Sequence, residues 1–472
     1  MGTVNAPMAR RFGAAILAAA TLALVGASQA WAAPTATGML PDGGTWIADV
    51  PANWNGTLLL YSHGYGTLSP ADAPDPATHD ALLADGYALA GSSYDPSGSL
   101  WALGSAVRDQ FQTLAAVKNS VLPHRPSQVL AFGTSMGGLI SALEDQQSNG
   151  RLDGALTTCG LVAGGIQLNN YQLDGEYAIA KLLAAGQPIK LVHFSSQADG
   201  AATAVALNAA AAQAQTNPAG RARLALAMAL MNVAAWAPGA TMPGVYDYAE
   251  QERQQYAMEF TANPVLLFVE TGRQQIEQAA GGNGGWDVGV DFDQLLKHSS
   301  YRAEIEALYH EAGISLRQDL RTLTRGANIR ADANAIRWLQ QTSVPTGRLQ
   351  VPELDLHTIS DQLVPVQQEN YYARLVRRAG DRSLLRQAFV SRQEHCNFTS
   401  GELIAGVKAL QQRVDTGRWD SVAGPDQLQD SAASLGLPGG AAFVPFWPEP
   451  LSGDNGPFNP FTDAGRVYWR SQ

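Results

Sequence analysis

A serine hydroxyl attacks a carbonyl carbon only when a base takes its proton and an acid orients that base. Serines at sharp turns, histidines and carboxylates are therefore the residues to weigh first. Gly133-Thr134-Ser135-Met136-Gly137-Gly138 offers such a serine. A strand-like run, residues 128–132, precedes it, and a helical pattern, residues 136–147, follows it. G-x-S-x-G carries catalytic meaning only in that strand–turn–helix setting. The glycines permit a sharp turn that lifts the hydroxyl above the strand ends. The helix behind it aims its first N–H groups at developing negative charge. The competing reading is a glycine-rich turn without chemistry. Ser62-His63-Gly64-Tyr65-Gly66 ends another apolar run, residues 56–61, and His63 reads as orienting that loop rather than as a base.

Two later segments supply an acid and a base. Leu356-His357-Thr358-Ile359-Ser360-Asp361 places Asp361 just past an apolar strand and leaves Asp355 within it. Glu394-His395-Cys396-Asn397-Phe398-Thr399 follows a strand that ends near Ser391. Thr399 with Glu402 forms a T-x-x-E capping box that starts the next helix, so His395 sits on a loop beside a helix start. Of the eight histidines, His395 and His357 alone lie near such a junction. The bland reading of His395 is a surface loop histidine.

The elements that must hold these residues alternate between strand and helix. Strand patterns at 56–61, 86–90, 128–132 and 155–159 interleave with helical patterns at 106–121 and 136–147, which predicts a mainly parallel sheet. From about 166 to 345 the chain turns helical and rich in Ala, Leu and Gln, broken by Gly281-Gly282-Asn283-Gly284-Gly285, with one strand-like run at 190–194. The rhythm resumes with strands at 350–357 and 385–391 and helices at 367–378 and 401–414. One sheet domain interrupted by a helical insertion explains this better than two domains in series. The expected organisation is a first core part at 33–165, an insertion at 166–345, a second core part at 346–418, and an aromatic-rich extension at 419–472 packed on the core.

The motifs, in this order and at these junctions, resemble the α/β-hydrolase superfamily over residues 50–165 and 346–415. The resemblance implies that fold: a mainly parallel sheet flanked by helices, with residues 166–345 as a helical lid between strands 6 and 7. It implies the chain order nucleophile, acid, histidine, which selects Ser135, Asp361 and His395 as catalytic and sets aside Asp355 and His357. It also implies that the backbone N–H groups of Tyr65 and Met136 form the oxyanion hole. Cys396 beside His395 resembles secreted tannases and feruloyl esterases, which join cysteines next to the serine and the histidine. Here Thr134, not cysteine, precedes Ser135. Cys159 ends a strand expected to neighbour the acid strand, so a Cys159–Cys396 disulfide is expected, the alternative being two buried thiols. Trp101 is a candidate pocket residue, though core packing suits it equally. Met228, Met231 and Trp236 are expected to build the lid's own core.

Composition narrows the function classes. Of 472 residues, 46% are hydrophobic and 15% charged, which describes a globular chain. Arg10 and Arg11, an apolar run from Phe12 to Val25 and Ala30-Trp31-Ala32 read as a signal peptide over residues 1–32, hence a secreted or periplasmic protein. The net charge of −11 becomes −13 without that segment, which argues against nucleic-acid partners. The apolar run 224–236 contains Asn232 and reads as a buried helix, not an integral membrane segment. Two N-x-T sequons, at Asn55 and Asn397, read as accidental. No C-x-x-C or H-E-x-x-H pattern marks a metal, and the chemistry needs neither metal nor organic cofactor. The expected activity is hydrolysis of a small-molecule or polymeric carboxylic ester. A serine exopeptidase, with Glu250 or Glu252 holding a substrate amine, is the alternative, and a non-catalytic binding protein is a distant third. Oligomeric state stays open.

Overall fold

The computed structural model describes residues 35–261 and 265–452. The expected signal peptide and the tail aromatics Phe458 and Phe461 lie outside the described residues. The first core part runs β1 (Ala36–Met39), β2 (Thr45–Asp49), β3 (Thr57–Ser62), α1 (Pro76–Ala84), β4 (Ala88–Ser92), α2 (Ala106–Ser120), β5 (Gln128–Thr134), α3 (Met136–Gln146) and β6 (Gly154–Thr158). Among the described residues nine α-helices follow, α7 being continued by a π-helical turn (Ala257–Thr261): α4 (Gly164–Leu182), α5 (Gln197–Ala214), α6 (Pro218–Met231), α7 (Tyr248–Tyr256), α8 (Val265–Ala280), α9 (Phe292–Lys297), α10 (Arg302–Glu311), α11 (Leu316–Gly326) and α12 (Ala333–Thr342). The core then resumes with β7 (Glu353–Ser360), α13 (Gln367–Ala379), β8 (Leu385–Gln393), α14 (Ser400–Thr416), α15 (Pro425–Ser434) and β9 (Phe443–Val444).

The strands form one sheet in the order β1-β2-β4-β3-β5-β6-β7-β8-β9. β4, β3, β5, β6, β7 and β8 are mutually parallel, whereas β1, β2 and β9 join antiparallel. Every residue of β3, β4 and β6 is buried, as expected of parallel strands covered on both faces. Side chains alternate across the sheet. Leu59, Tyr61, Leu130 and Phe132 pack with α14 on one face, and Leu58, Leu60, Val129 and Ala131 pack with α2 on the other.

The helical stretch lies where it was expected, between β6 and β7. α6 shows why this region is helical. Asn217 caps its first turn, Pro218 occupies the first position, and Asn232 ends it in the left-handed region at φ 62°. Met228 and Met231 are buried in an apolar cluster that the insertion shares with α3, while Trp236 is half-buried. Three expectations are corrected. Residues 190–194 form no strand: His193 turns left-handed at φ 58°, and the N–H groups of His193 and Phe194 donate to the Glu277 carboxylate rather than to a neighbouring strand. The segment after Trp419 is not simply extended, since it contains α15 and the short edge strand β9. β1 and β2 precede the first strand that the pattern revealed.

Candidate functional site

The turn between β5 and α3 holds Ser135 at φ 62° and ψ −123°, a strained conformation for a residue with a side chain. Close approach on both sides makes it possible. A Cβ on Gly133 would lie 1.9 Å from the Gly137 carbonyl oxygen, and one on Gly137 would lie 1.8 Å from the Ser62 carbonyl oxygen. The motif's glycines are thus required by backbone packed against backbone. The Ser135 N–H donates to the Thr158 carbonyl at 2.9 Å, fixing the turn to the end of β6.

His395 stands on the loop after β8, between two left-handed residues, Glu394 (φ 75°) and Cys396 (φ 55°). Three tethers hold that loop. The Glu394 N–H donates to Ser360 O, Thr358 Oγ1 donates to Glu394 O, and Cys396 is disulfide-bonded to Cys159, with Cα atoms 5.3 Å apart. The Cys159 N–H in turn donates to Leu356 O at 2.8 Å, since β6 and β7 are neighbours as expected. The capping box at Thr399 and Glu402 forms in full.

The three side chains meet. Ser135 Oγ lies 2.8 Å from His395 Nε2, and His395 Nδ1 lies 2.7 Å from Asp361 Oδ2. Asp361 Oδ1 accepts from the N–H groups of Leu363 and Val364, both at 2.8 Å. Burial works against the charged carboxylate, but the charge and hydrogen bond of His395, the His357 charge and the Val364 N–H outweigh it, so Asp361 titrates below its ordinary value. An ionised Asp361 accepts only, which places the ring proton on Nδ1 and leaves Nε2 free to accept from the serine hydroxyl.

The competitors have other partners. Asp355 is buried inside β7 and accepts from Thr157 Oγ1 at 2.6 Å. His357 is buried between Glu369 Oε1 (2.7 Å) and the Val364 carbonyl (2.9 Å). His63 bonds the Gly64 carbonyl through Nδ1 at 2.8 Å and stacks on Tyr94, whose hydroxyl donates to the His63 carbonyl. Burial pushes its imidazole below the usual range, so it orients the turn as a neutral ring. That turn passes beside the serine: a Cβ on Gly64 would sit 3.2 Å from Ser135 Cβ. Neither the Tyr65 nor the Met136 N–H donates to any group among the described residues.

A cleft with about 50 Å³ open to water runs from Ser135 and His395 between the sheet and the insertion. Its surface is mainly apolar, and Trp101 forms part of it, buried with its indole N–H unpartnered. The sequence reading missed the wall contributed by α4 and α8, including Gln172, Phe268 and Arg273. Arg273 is fully buried and donates to Glu176 Oε2 at 2.5 Å and Glu270 Oε2 at 3.3 Å. Burial pushes both carboxyls up, Glu270 well above the usual range. The available signal was Glu270, Arg273 and Glu277 spaced along one face of an apolar helix. Glu250 and Glu252 do not reach the cleft. Glu250 pairs with Arg253 at the surface, and Glu252 is buried against Arg221 and Gln215.

No protein-family model matches the chain. An o-phthalyl amidase from Xanthobacter agilis is 29% identical over 424 residues, which span 83% of this chain and 89% of that protein. Among solved structures, feruloyl esterase B from Aspergillus oryzae aligns over 81% of this chain and 80% of its own, at 12% identity and a TM-score of 0.43. A second esterase from Aspergillus oryzae aligns over 79% and 77%, at 15% identity and a TM-score of 0.42. The order of the sheet gives the architecture independently of these likenesses. Six parallel strands follow an antiparallel β2, a left-handed serine turn joins β5 to α3, and a helical insertion precedes β7. The chain therefore has the α/β-hydrolase fold.

Proposed function

We propose that this protein is an exported serine hydrolase that cleaves carboxylic esters and amides through an acyl-enzyme on Ser135. The observation that carries this reading is the hydrogen-bonded relay from Ser135 Oγ through His395 to Asp361. His395 Nε2 takes the hydroxyl proton as Oγ bonds to the acyl carbon. The carbonyl oxygen gains the displaced electron pair and is held by the Tyr65 and Met136 N–H groups. His395 then gives its proton to the leaving oxygen or nitrogen as the acyl–heteroatom bond breaks. Water, deprotonated by His395, repeats the attack, and Ser135 recovers its proton as the acid departs. Asp361 stays ionised throughout, stabilising the imidazolium.

The cleft favours a compact, flat, apolar acyl group. Its open volume corresponds to only about a few water molecules by this measure. Trp101, whose indole N–H is unpartnered, provides a donor for a polar substituent on that group. The o-phthalyl amidase relative supports extending the reading from esters to amides. An amine-binding exopeptidase loses support, because Glu250 and Glu252 face away from the cleft. The basic and apolar leader pattern together with the Cys159–Cys396 bond suits an oxidising compartment outside the cytoplasm.

The test compares chromogenic aryl esters of increasing acyl length with aroyl anilides and aminoacyl anilides. Aroyl substrates should lead each class. Ser135→Ala should lower kcat by about 10⁴-fold or more and abolish labelling by a fluorophosphonate, with the thermal transition unchanged. Turnover or labelling at the wild-type level in Ser135→Ala refutes the assignment.

A further inference from the structure

We propose that Asp49, Asp72 and His79 form a binding site for one divalent transition-metal ion of the zinc class. They come from three elements: the end of β2, the connection between β3 and α1, and the first turn of α1. Each offers one ligand atom, and the three atoms lie within 4.8 Å of one another. His79 Nε2 is 3.2 Å from Asp49 Oδ2 and 3.8 Å from Asp72 Oδ2. Zinc bonds of about 2.0–2.2 Å in tetrahedral geometry separate neighbouring ligand atoms by about 3.3–3.5 Å. The two nitrogen–oxygen distances, 3.2 and 3.8 Å, are near that spacing.

The chemistry of the cluster asks for a cation. The Asp49 and Asp72 side chains are each 9% exposed, so two carboxylates lie side by side largely out of water. Asp72 Oδ2 is buried and accepts no hydrogen bond, with His79 Nε2 3.8 Å away as its nearest cationic group when protonated. An oxygen so placed is costly unless something positive meets it. The histidine is oriented for that purpose. Its Nδ1 lies 3.0 Å from Asp80 Oδ1, the carboxylate–histidine arrangement that turns the Nε2 lone pair toward a metal. With the ring proton on Nδ1, Nε2 would be free to ligate an ion beside the two carboxylates, displacing its present contact with Asp49 Oδ2. His79 is a quarter exposed, which leaves water a route to the fourth position.

The site is held in place before any ion arrives. Asp72 follows Ala71, whose carbonyl oxygen packs so tightly on β4 that a Cβ on Gly91 would lie 1.8 Å from it. Asp75 caps α1 by accepting from the Thr78 N–H at 2.9 Å. One nitrogen and two carboxylate oxygens suit zinc better than calcium or magnesium, which favour all-oxygen shells of six or more ligands. The second group of potential ligands, Cys159, Cys396 and His395, is committed otherwise, because its sulfurs are joined to each other. An ion at Asp49, Asp72 and His79 would staple to β2 the connection between β3 and α1, which begins at His63 and includes Tyr65. Sequence spacing hid the site, since its ligands follow no short motif.

The experiment uses the tag-free full chain, stripped with a chelator and desalted. Zinc chloride is titrated by calorimetry, and thermal unfolding is followed with zinc, calcium or magnesium. One zinc per chain should bind, and saturating zinc should raise Tm by about 2 °C or more. Calcium and magnesium should give no shift. Asp72→Asn and His79→Gln should each lose the stoichiometric binding and the Tm shift. Should Asp72→Asn fail to fold, His79→Gln and the cobalt(II) absorption spectrum of the wild type decide. Intense tetrahedral bands lost in His79→Gln support the site. Absence of stoichiometric zinc binding by the wild type, or wild-type binding in His79→Gln, overturns it and leaves a metal-free ion pair of His79 with the two carboxylates. Neither result depends on Ser135, so hydrolase activity and metal binding fail separately.

Discussion

Gly137→Ala isolates the contact on which the serine turn rests. A Cβ at this position would lie 1.8 Å from Ser62 O, 2.5 Å from Ser62 C and 2.8 Å from His63 O, all backbone atoms. Relief to an ordinary contact of at least about 3 Å requires α3 and the end of β3 to part by about 1.2 Å. The β3 side has little freedom to yield. Ser62 pairs with Gly133, and the Gln110 side chain donates to both Tyr61 O and Ser62 Oγ. Alanine's better helix propensity recovers at most about 1 kcal/mol, whereas forcing extra volume into a packed site costs about 1–3 kcal/mol. Strain wins, and it falls between the two proposed oxyanion donors, because Met136 begins α3 and Tyr65 follows β3. A misplacement of about 1 Å at reacting groups costs about 10²-fold in rate. The variant should therefore show kcat reduced about 10²-fold, KM little changed, and Tm lowered by several degrees. Steady-state kinetics on a chromogenic ester and thermal unfolding measure this. Gly244→Ala is the control, because its added Cβ would meet nothing closer than 3.9 Å. Gly137→Ala with wild-type kcat and Tm would refute the packing argument for the turn.

Asp361→Asn should lower kcat about 10⁴-fold, since its amide favours the wrong histidine tautomer. Because the folded carboxyl titrates below its ordinary value, its stabilisation is complete above about pH 4 and is lost as pH falls through the lower, folded pKa. Urea unfolding should thus show a gap between wild type and Asp361→Asn at pH 7 that narrows below pH 4; a gap independent of pH contradicts the assignment. Replacing both Cys159 and Cys396 with serine opens a link between residues 237 apart, worth up to about 5 kcal/mol in the chain-entropy model. A loss under about 1 kcal/mol by denaturant titration would show that the hydrogen bonds of Glu394 already hold the loop. Glu304 is buried with both carboxyl oxygens unpartnered, and burial, then the Glu252 charge, pushes it up to about 9. A raised pKa favours the fold at low pH and costs stability as pH rises toward the folded value. Glu304→Gln should accordingly gain Tm on the wild type between pH 5 and pH 9; parallel curves would argue against a buried, protonated carboxyl.

What the sequence disclosed and what it hid divide along the range of the interactions involved. The serine turn is encoded within six residues, because the glycines at 133 and 137 and the strand and helix beside them are local facts. Asp361 and His395 are legible one level up, each placed by a strand that ends just before it. The Cys159–Cys396 pairing needed one inference more, that β6 lies beside β7, and the ladder from Ala155 with Glu353 to Thr158 with Leu356 bears this out. Beyond that distance the signals fail for physical reasons. β1 is four residues with no buried position, so its apolar pattern is too weak to announce a strand. Residues 190–194 have strand-like side chains, but their backbone donors are taken by Glu277, a partner more than eighty residues away. Arg273 meets Glu176 across a separation of 97 residues, which no spacing rule anticipates.

That division also separates the chemistry from its selectivity. The proposed nucleophile, base, acid and oxyanion donors all sit on the sheet's strand ends and on the loops and helix start they lead into. The insertion packs on them from above, with Phe268 edge-on to Tyr65 and the Trp236 carbonyl accepting from Ser360 Oγ. The cleft above them is closed by α4 and α8, where Leu168, Val269 and Ile276 set an apolar surface and Arg273 interrupts it. Because Arg273 is held by two carboxyls in a buried site, removing its charge alone would strand those carboxyls and cost several kcal/mol. Substrate preference can therefore drift readily at Gln172, Phe268 and Val269, but not at Arg273 without compensation at Glu176 and Glu270. The insertion thus presents two surfaces to the cleft: an apolar one from Leu168, Val269 and Ile276, and one fixed by the buried charges around Arg273.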